Sequence, residues 1–422
     1  MGCSRCWSGR GGRRAVGLPA VHLRPIVHLT DDNSRNEPAE CDIDTFDCFA
    51  DAFGGNRSGY RDIGPLRSVS ASPRLVTVTN ETAVGVSNIT GESWVPDVLG
   101  SDYQQRTLHL GSDPDGEGAA VATLVRHLPE QSTETTADAV LYVHGFTDYF
   151  FQEHLAEHFA ARGHRFYALD LRKCGRSLRA GQTPHYVTDL AFYDAELNEA
   201  LRIVRAETGR PVLVVAHSTG GLVTPLWLDR LRAAGGIDAV SGLVLNSPWF
   251  DLQGPSYYRT IGTPVIKALG RFRSMARLPG DDISTYGDSL HRSVAGEWDY
   301  NLDWKPLAGF PVHFGWLAAI RDGHTQLHRG LDIGVPALIL RSRISKFASK
   351  YGPAVDVADS VLDVRQIQRW AGCLGDRTNI VPIDGARHDV FLSSEGPLAE
   401  AFSELDSWLD WLAGFRSPKA GA

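Results

Sequence analysis

The stretch Val212-Leu213-Val214-Val215-Ala216-His217-Ser218-Thr219-Gly220-Gly221-Leu222 decides the fold. A β-branched apolar run stops at Ser218, and apolar residues at helical spacing begin directly after it. This pattern predicts a strand, a sharp strained turn and a helix, which is the setting that exposes a nucleophilic serine hydroxyl. The small residues Ala216 and Gly220 suit the close approach of the backbone on either side of such a turn. An ordinary strand followed by a helix with a Ser/Thr cap has a similar pattern, so the interpretation needs partner residues elsewhere.

A serine hydroxyl becomes a good nucleophile when a histidine accepts its proton and an acid fixes the histidine tautomer. His388 lies in a glycine-containing loop after a predicted strand, where a parallel sheet presents reactive groups. We expect the acid in the segment after the preceding predicted strand, and Asp359 is our choice. Asp363 and Asp356 remain alternatives, and Asp359 is also placed to act as a plain helix cap.

A second buried strand, Ala139 to Val143, ends in His144-Gly145-Phe146. Acyl transfer needs backbone N–H donors aimed at the developing oxyanion. We predict that the N–H groups of Phe146 and Thr219 form this pair. His144 is an alternative base, but we favour a role in bracing the loop by hydrogen bonds. We interpret His217 in the same way, facing away from the nucleophile along the turn.

Six segments of this chain resemble one family in sequence and in order, over roughly residues 100 to 415: His144-Gly145-Phe146, Asp170 to Ser177, Ala216 to Gly221, Asn246-Ser247-Pro248, Ala358 to Asp363, and Gly385 to His388. The family is the monoacylglycerol lipase and lysophospholipase branch of the α/β-hydrolases, often labelled serine aminopeptidase-like. The resemblance implies Ser218 as nucleophile, Asp359 as acid, His388 as base, and Phe146 and Thr219 as oxyanion donors.

The chain departs from the family pattern in two places. Ala216 stands where glycine is more common, and Lys173-Cys174 replaces a pair made of histidine and glycine. Neither change removes a reacting group. We expect them to affect loop shape and substrate more than chemistry.

Strands and helices alternate through most of the chain, after an antiparallel hairpin around residues 107–128. The predicted helices include those at 150–162 and 360–372. This order predicts an α/β-hydrolase fold: a mostly parallel sheet with helices on both faces. We divide the chain into a poorly ordered extension (1–70), a first core part (71–250), an inserted helical cap (251–334), a second core part (335–415) and a tail (416–422). Within the first part, residues 72–92 alternate as in a peripheral strand.

The predicted cap and its borders are rich in aromatic residues, with 12 Phe, Tyr or Trp between Trp249 and Trp316. Such residues can line an acyl-binding slot, or they can simply pack the cap onto the core. The candidates for substrate binding are Trp249, Phe250, Tyr258, Trp298 and Trp316. Three acids, Glu297, Asp299 and Asp303, interrupt them, and one of these could bind a polar or cationic head group.

Composition excludes several classes of function. The net charge of −8 does not suit a nucleic-acid binder, and no apolar run reaches the roughly 18–20 residues of a membrane span. The six scattered cysteines suggest reduced thiols, and we expect a cytoplasmic protein. The histidines at 291, 313, 324 and 328 lack the spacing of a ligand set, so we predict no metal and no cofactor. The oligomeric state is not constrained.

The sequence therefore predicts a serine hydrolase that acts on a carboxylic ester of a small or single-chain lipid, such as a monoacylglycerol or lysophospholipid. A peptidase or thioesterase with the same triad is the alternative. Glu297 is the residue that could hold the ammonium group of a peptide substrate. The third hypothesis is a non-catalytic binding protein with the same fold.

Overall fold

The structure, a computed structural model, describes residues 93–129, 137–253, 262–278 and 284–416, all within the unit Thr82–Ala422. Four of the predictions lie outside the described residues: the poorly ordered extension, the strand at 72–92, Tyr258 and the tail beyond Arg416. Within the described residues, no helix is long and apolar enough to cross a bilayer.

The core of the described chain is one sheet whose inner strands are fully buried, as their apolar and β-branched sequences predict. The strands are β1 (Val95–Asp97), β2 (Gly100–Ser112), β3 (Ala119–His127), β4 (Ala139–Val143), β5 (Phe166–Asp170), β6 (Val212–His217), β7 (Val240–Asn246), β8 (Ala337–Ser342) and β9 (Thr378–Ile383).

The strand order in the sheet is β1-β2-β3-β5-β4-β6-β7-β8-β9. The three pairs at the N-terminal end are antiparallel, and all pairs from β5-β4 to β8-β9 are parallel. This confirms the predicted mixed, mostly parallel sheet with an antiparallel N-terminal hairpin.

Helices cover both faces of the sheet, and each face has its own buried apolar cluster. The helices are α1 (Glu153–Ala161), α2 (Asp194–Thr208), α3 (Gly220–Ala233), α4 (Gly262–Phe272), α5 (Ser284–Leu290), α6 (Phe314–His328), α7 (Val364–Trp370) and α8 (Glu395–Arg416). The last helix buries Ala401, Leu405 and Leu412, which recur at helical spacing on one side.

Two predicted helices are shorter than their patterns suggested. The helix expected at 150–162 begins at Glu153, and the helix expected at 360–372 begins at Val364. In the second case the cause is visible, because the Asp363 carboxylate accepts a hydrogen bond from the Arg365 N–H and caps the helix there.

Backbone strain is concentrated at one edge of this sheet. Four non-glycine residues with positive φ, Thr147, Lys173, Ser218 and Ser247, lie one to four residues beyond the ends of β4, β5, β6 and β7. Such conformations cost about 1–3 kcal/mol each and persist only where the surroundings enforce them. Because parallel strands end at a common edge, these strained turns surround one place.

Candidate active site

Ser218 occupies the strained turn that the sequence predicts between β6 and α3. Its φ is +53°, and its N–H donates to the carbonyl of Asn246 at 3.0 Å. Helix α3 begins at Gly220, where a Cβ would lie 2.4 Å from the carbonyl oxygen of His144. The close approach of these two segments therefore requires glycine at position 220.

The structure brings the three side chains predicted as a triad into contact. The Ser218 Oγ lies 2.9 Å from His388 Nε2, and His388 Nδ1 lies 2.9 Å from Asp359 Oδ2. The carboxylate can only accept, so Nδ1 carries the imidazole proton and Nε2 is left to accept from the serine hydroxyl. All three side chains are buried. This is the arrangement in which a serine can be activated as a nucleophile.

The position of Asp359 is fixed by its own loop. Its second carboxylate oxygen accepts from the N–H groups of Val361 and Leu362, at 2.9 and 2.7 Å. The two alternative acids lie elsewhere: Asp363 caps α7, and Asp356 accepts from the Tyr351 hydroxyl at 2.8 Å. Neither of them is hydrogen-bonded to His388, although Asp356 pairs with the neighbouring Arg387 at 3.4 Å.

The loop after β4 lies directly against the nucleophile. A Cβ added to Gly145 would lie 2.9 Å from the Cβ of Ser218, so only glycine permits this approach. His144 braces the loop: its Nδ1 lies 2.7 Å from the Gly145 carbonyl, and its Nε2 accepts from the Leu171 N–H at 3.1 Å. Among the described residues, no acceptor is hydrogen-bonded to the backbone N–H of Phe146 or of Thr219, so both donors are available to an oxyanion.

A buried network beneath the triad was not predicted from the sequence. His217 does not simply face away, because its Nδ1 lies 3.1 Å from Asp148 and its ring lies 4.9 Å from that of His388. Lys305 completes the network: its ammonium donates to Asp148 at 2.8 Å and approaches the Thr147 carbonyl at 3.4 Å. Burial alone would raise the pKa of Asp148, but the charge of Lys305 and the contact with His217 hold it far below its usual value.

Asp389 anchors the loop that carries the base. Its carboxylate accepts from the side-chain amides of Asn246 and Gln152, at 2.5 and 3.3 Å, and from the Phe391 N–H at 3.0 Å. The Tyr286 hydroxyl accepts from the Asp389 N–H at 3.3 Å, and its ring meets the His388 ring edge-on. Burial and the nearby Asp389 charge raise the pKa of Tyr286 well above its ordinary value, so this hydroxyl stays neutral.

A pocket of about 760 Å³ opens onto Ser218, and its lining is mostly apolar. Trp316 forms the middle of an aromatic wall, with its ring centroid 4.3 Å from that of Phe146 and 5.8 Å from that of Trp249. Other apolar lining residues are Leu252, Ile266, Phe310, Val312, Leu317 and Val361. Trp249 and Trp316 therefore lie where the sequence analysis expected substrate-binding residues.

Two other expectations about the pocket need correction. Phe250 is buried in the apolar core and does not line the pocket, unlike its neighbour Trp249. Trp298 stacks on His154 at 4.6 Å and donates to the Leu392 carbonyl, so its ring is held outside the pocket. None of the three predicted acids lines the pocket: Glu297 and Asp303 are exposed, and Asp299 pairs with Arg292.

Among the described residues, the histidines at 291, 313, 324 and 328 do not form a group of potential metal ligands, but three other residues do. His144, Cys174 and His185 place one ligand atom each within 4.8 Å of one another, and all three are buried. The sequence analysis singled out Lys173-Cys174, but expected it to affect loop shape and substrate and did not predict this cluster. The contact with His185 could not be read from the sequence.

Comparison with known proteins agrees with this architecture. Residues 134–393 match the model of the family described as serine aminopeptidase, S33. A search of curated proteins gave no match to the sequence. Similar solved structures include a soluble variant of monoglyceride lipase from Saccharomyces cerevisiae in complex with a substrate analog (18% identity, TM-score 0.54, covering 72% of this chain and 94% of that one).

Two further structures are similar at the same level. One is a highly thermostable carboxyl esterase from Bacillus coagulans in complex with glycerol (14% identity, TM-score 0.51, covering 74% of this chain and 99% of that one). The other is a lipase in its open form (17% identity, TM-score 0.51, covering 73% and 99%). At these identities the structures show the fold alone. With the family match over more than half of its length, the chain belongs to the serine aminopeptidase S33 family of α/β-hydrolases.

Proposed function

We propose that this chain is a serine hydrolase that cleaves carboxylic esters of small or single-chain lipids, such as monoacylglycerols or lysophospholipids. One observation carries the proposal: Ser218, which is hydrogen-bonded to His388 and through it to Asp359, lines a large, mostly apolar pocket. A hydroxyl poised in this way is suited to attack an ester carbonyl whose acyl chain fills the pocket.

In this mechanism, Ser218 Oγ attacks the ester carbonyl while His388 Nε2 takes its proton, and Asp359 stabilises the resulting imidazolium. The N–H groups of Phe146 and Thr219 hold the tetrahedral oxyanion, and each such donor is worth roughly 10²–10³ in rate. His388 then gives its proton to the leaving alcohol. A water molecule, deprotonated by His388, attacks the acyl-enzyme and restores the serine.

The lining supports an acyl chain as the group that enters the pocket. Aromatic and aliphatic side chains dominate it, and its volume lies within the roughly 300–1,000 Å³ of small-ligand sites. Each methylene moved from water into such a lining contributes about 0.8 kcal/mol. Longer single chains should therefore bind more tightly until the pocket is filled.

The charges at the pocket favour an ester over an N-terminal peptide. A peptidase of this kind needs a carboxylate for the substrate ammonium, and no Asp or Glu lines the pocket among the described residues. The charged side chains that do line it are cationic, Lys305 and Arg277. Glu297, the residue on which the peptidase alternative rests, is exposed and lies outside the lining.

The test is a substrate panel on the purified full chain: p-nitrophenyl esters of short and long acyl chains, a monoacylglycerol, a lysophospholipid and aminoacyl anilides. We expect turnover of the esters and none of the anilides. Ser218→Ala should lower kcat on esters by about 10⁴-fold or more, while Ser407→Ala, an exposed serine on α8, should leave it unchanged. Ester turnover that survives in Ser218→Ala, or faster cleavage of anilides than of esters, would refute the proposal.

A further inference from the structure

A cluster of two imidazoles and one thiol lies at the loop after β4 that carries the Phe146 N–H, here called the oxyanion loop. None of the three side chains takes a chemical step in the proposed mechanism. His144, Cys174 and His185 are 1%, 1% and 3% exposed, and their ligand atoms lie within 4.8 Å of one another. The Cys174 Sγ is 3.2 Å from His185 Nδ1, and the rings of the two histidines meet edge-on at 6.0 Å.

The cluster is incompletely satisfied as it stands. The Nε2 of His185 is buried without a hydrogen-bond partner among the described residues, and an unmet buried polar atom is costly. A neutral imidazole has one ring nitrogen with a free lone pair, which a cation can accept.

Imidazole nitrogen and thiolate sulfur are the ligands that zinc and its softer relatives prefer. Two histidines and one cysteine supply three of the four positions of a tetrahedral ion and leave one for water or another small ligand. In this chain the thiol comes from Cys174, in the loop after β5.

We propose that His144, Cys174 and His185 bind one thiophilic divalent metal ion, such as Zn²⁺ or Cd²⁺, and that the bound ion inhibits the enzyme. On binding, the Cys174 thiol loses its proton to solvent and the thiolate sulfur coordinates the ion. The inhibition half of the proposal rests on the proposed function, whereas the binding half does not.

Inhibition follows from the present contacts of His144. Its Nδ1 lies 2.7 Å from the Gly145 carbonyl and its Nε2 accepts from the Leu171 N–H at 3.1 Å, so either nitrogen must give up a contact to coordinate a metal. Both contacts brace the loop that presents the Phe146 N–H. Loosening that loop weakens an oxyanion donor, whose loss costs roughly 10²–10³ in rate.

The cluster is separated from the substrate pocket by two rings. Phe146 and Phe310 line the pocket on one side and contact His185 on the other, with ring centroids 5.1 and 5.5 Å away. An ion at the cluster would therefore lie directly behind the pocket wall. A change there reaches the acyl-binding surface as well as the oxyanion loop.

The binding test uses a full-length background in which the other five cysteines, at 3, 6, 41, 48 and 373, are replaced by serine. Cd²⁺ is titrated, and the ultraviolet charge-transfer band of the cadmium–thiolate bond is recorded. We expect one equivalent to bind, the band to disappear in Cys174→Ser, and His185→Gln to weaken binding by at least about 10-fold. His127→Gln, a buried histidine on β3, is the matched control and should bind as the background does.

The second arm measures ester hydrolysis against Zn²⁺, with each variant compared to its own metal-free rate. Zn²⁺ should inhibit the background and leave Cys174→Ser uninhibited. A cadmium band that is absent, or that is unaffected by His185→Gln, would overturn the binding site. Binding that leaves ester hydrolysis unchanged would overturn the inhibition. If the chain cleaves no ester at all, the cadmium titration still decides the site, and a circular dichroism spectrum shows that each variant is folded.

Discussion

The carboxyl edge of the sheet and the predicted cap segment, 251–334, both contribute to the pocket, but they do so in different ways. At the edge, Ser218 and His388 lie one and five residues beyond β6 and β9, and Asp359 lies 17 residues beyond β8. Ser218 is held in a strained turn, and backbone N–H groups of its own loop hold the Asp359 carboxylate. The cap contributes apolar side chains and one buried ammonium, that of Lys305. We infer that residues at the carboxyl edge carry out the reaction and that the cap segment shapes the pocket and positions the loop beside Ser218. Changes at the edge should therefore lower kcat most, whereas changes to the pocket wall in the cap should mainly alter selectivity among substrates.

The largest effect is expected at the edge, for Asp359→Asn. Asparagine keeps the loop hydrogen bonds but favours the wrong tautomer of His388, so kcat should fall by about 10⁴-fold with little change in KM. The matched control is Asp363→Asn, which alters the cap of α7 four residues away and should leave kcat nearly unchanged. Steady-state kinetics on a p-nitrophenyl ester measure both. Similar losses in the two variants would mean that the acid has been assigned wrongly.

Lys305→Met tests whether the cap segment holds the loop beside Ser218 in position. Removing the ammonium leaves the buried Asp148 carboxylate with only its contact to His217, and breaking a buried ion pair typically costs about 3–5 kcal/mol of stability. The loop beside Ser218 should shift, and kcat should fall by about 10²-fold or less, since displacements of about 1 Å have effects of this size. Lys305→Arg should restore much of the activity if charge is what matters.

Lys267→Met is the matched control for this prediction. Lys267 is a more exposed cap lysine that pairs with Asp322, so its loss should change neither kcat nor the melting temperature appreciably. If Lys305→Met keeps full activity at a temperature where it is folded, the cap does not align the oxyanion loop.

Trp316→Ala should change selectivity and leave the chemistry intact. The ring lies in the aromatic wall of the pocket, so its loss removes contacts with a long acyl chain. The ratio of kcat/KM for long over short esters should fall by about 10-fold, with a smaller change for the short ester alone. Trp298→Ala, outside the pocket, should leave this ratio unchanged; a larger fall there would place the acyl chain elsewhere.

The smallest effect is expected for His324, which supports the pocket from behind. Burial lowers its pKa to about 3, and its Nε2 lies 2.9 Å from the Trp249 carbonyl. Between its folded pKa and the unfolded value of about 6.5, the unfolded chain binds the extra proton. The free energy of unfolding should therefore fall as the pH drops below about 6.5, by up to about 1.4 kcal/mol per pH unit.

Urea unfolding of the wild type and of His324→Asn, at pH 7 and pH 5, measures this contribution. The variant should be less stable at pH 7, but its loss between the two pH values should be smaller by about 2 kcal/mol. Equal losses would show that His324 is not held neutral in the folded protein.

The candidate triad at the carboxyl edge of the sheet could be predicted because each of its residues lies in a segment that is recognisable by itself. Each candidate triad residue follows a predicted strand, and parallel strands end together, so the chain order places the three side chains near one another. The structure then selects among the acids that the sequence left open, since Asp363 is used as a helix cap and Asp356 contacts Tyr351.

The cap was less predictable for a physical reason. Aromatic enrichment predicts that the rings of the cap segment are buried against other residues. Without the regular period of a helix or strand, it does not predict whether a given ring points into the pocket or into the core. Trp249 and Trp316 line the pocket, whereas Phe250 entered the core and Trp298 stacks on His154. The pair of Lys305 with Asp148 joins residues 157 positions apart, and no sequence pattern connects them.

The measurement that tests the central claim most directly is peptide mapping of the full chain after reaction with a fluorophosphonate. Only a serine activated by a histidine and held beside an oxyanion hole reacts readily with such a reagent. The account predicts one adduct, on Ser218, which is lost in His388→Ala and absent from denatured protein. An adduct on another residue, or an esterase-active protein whose Ser218 remains unmodified, would contradict it.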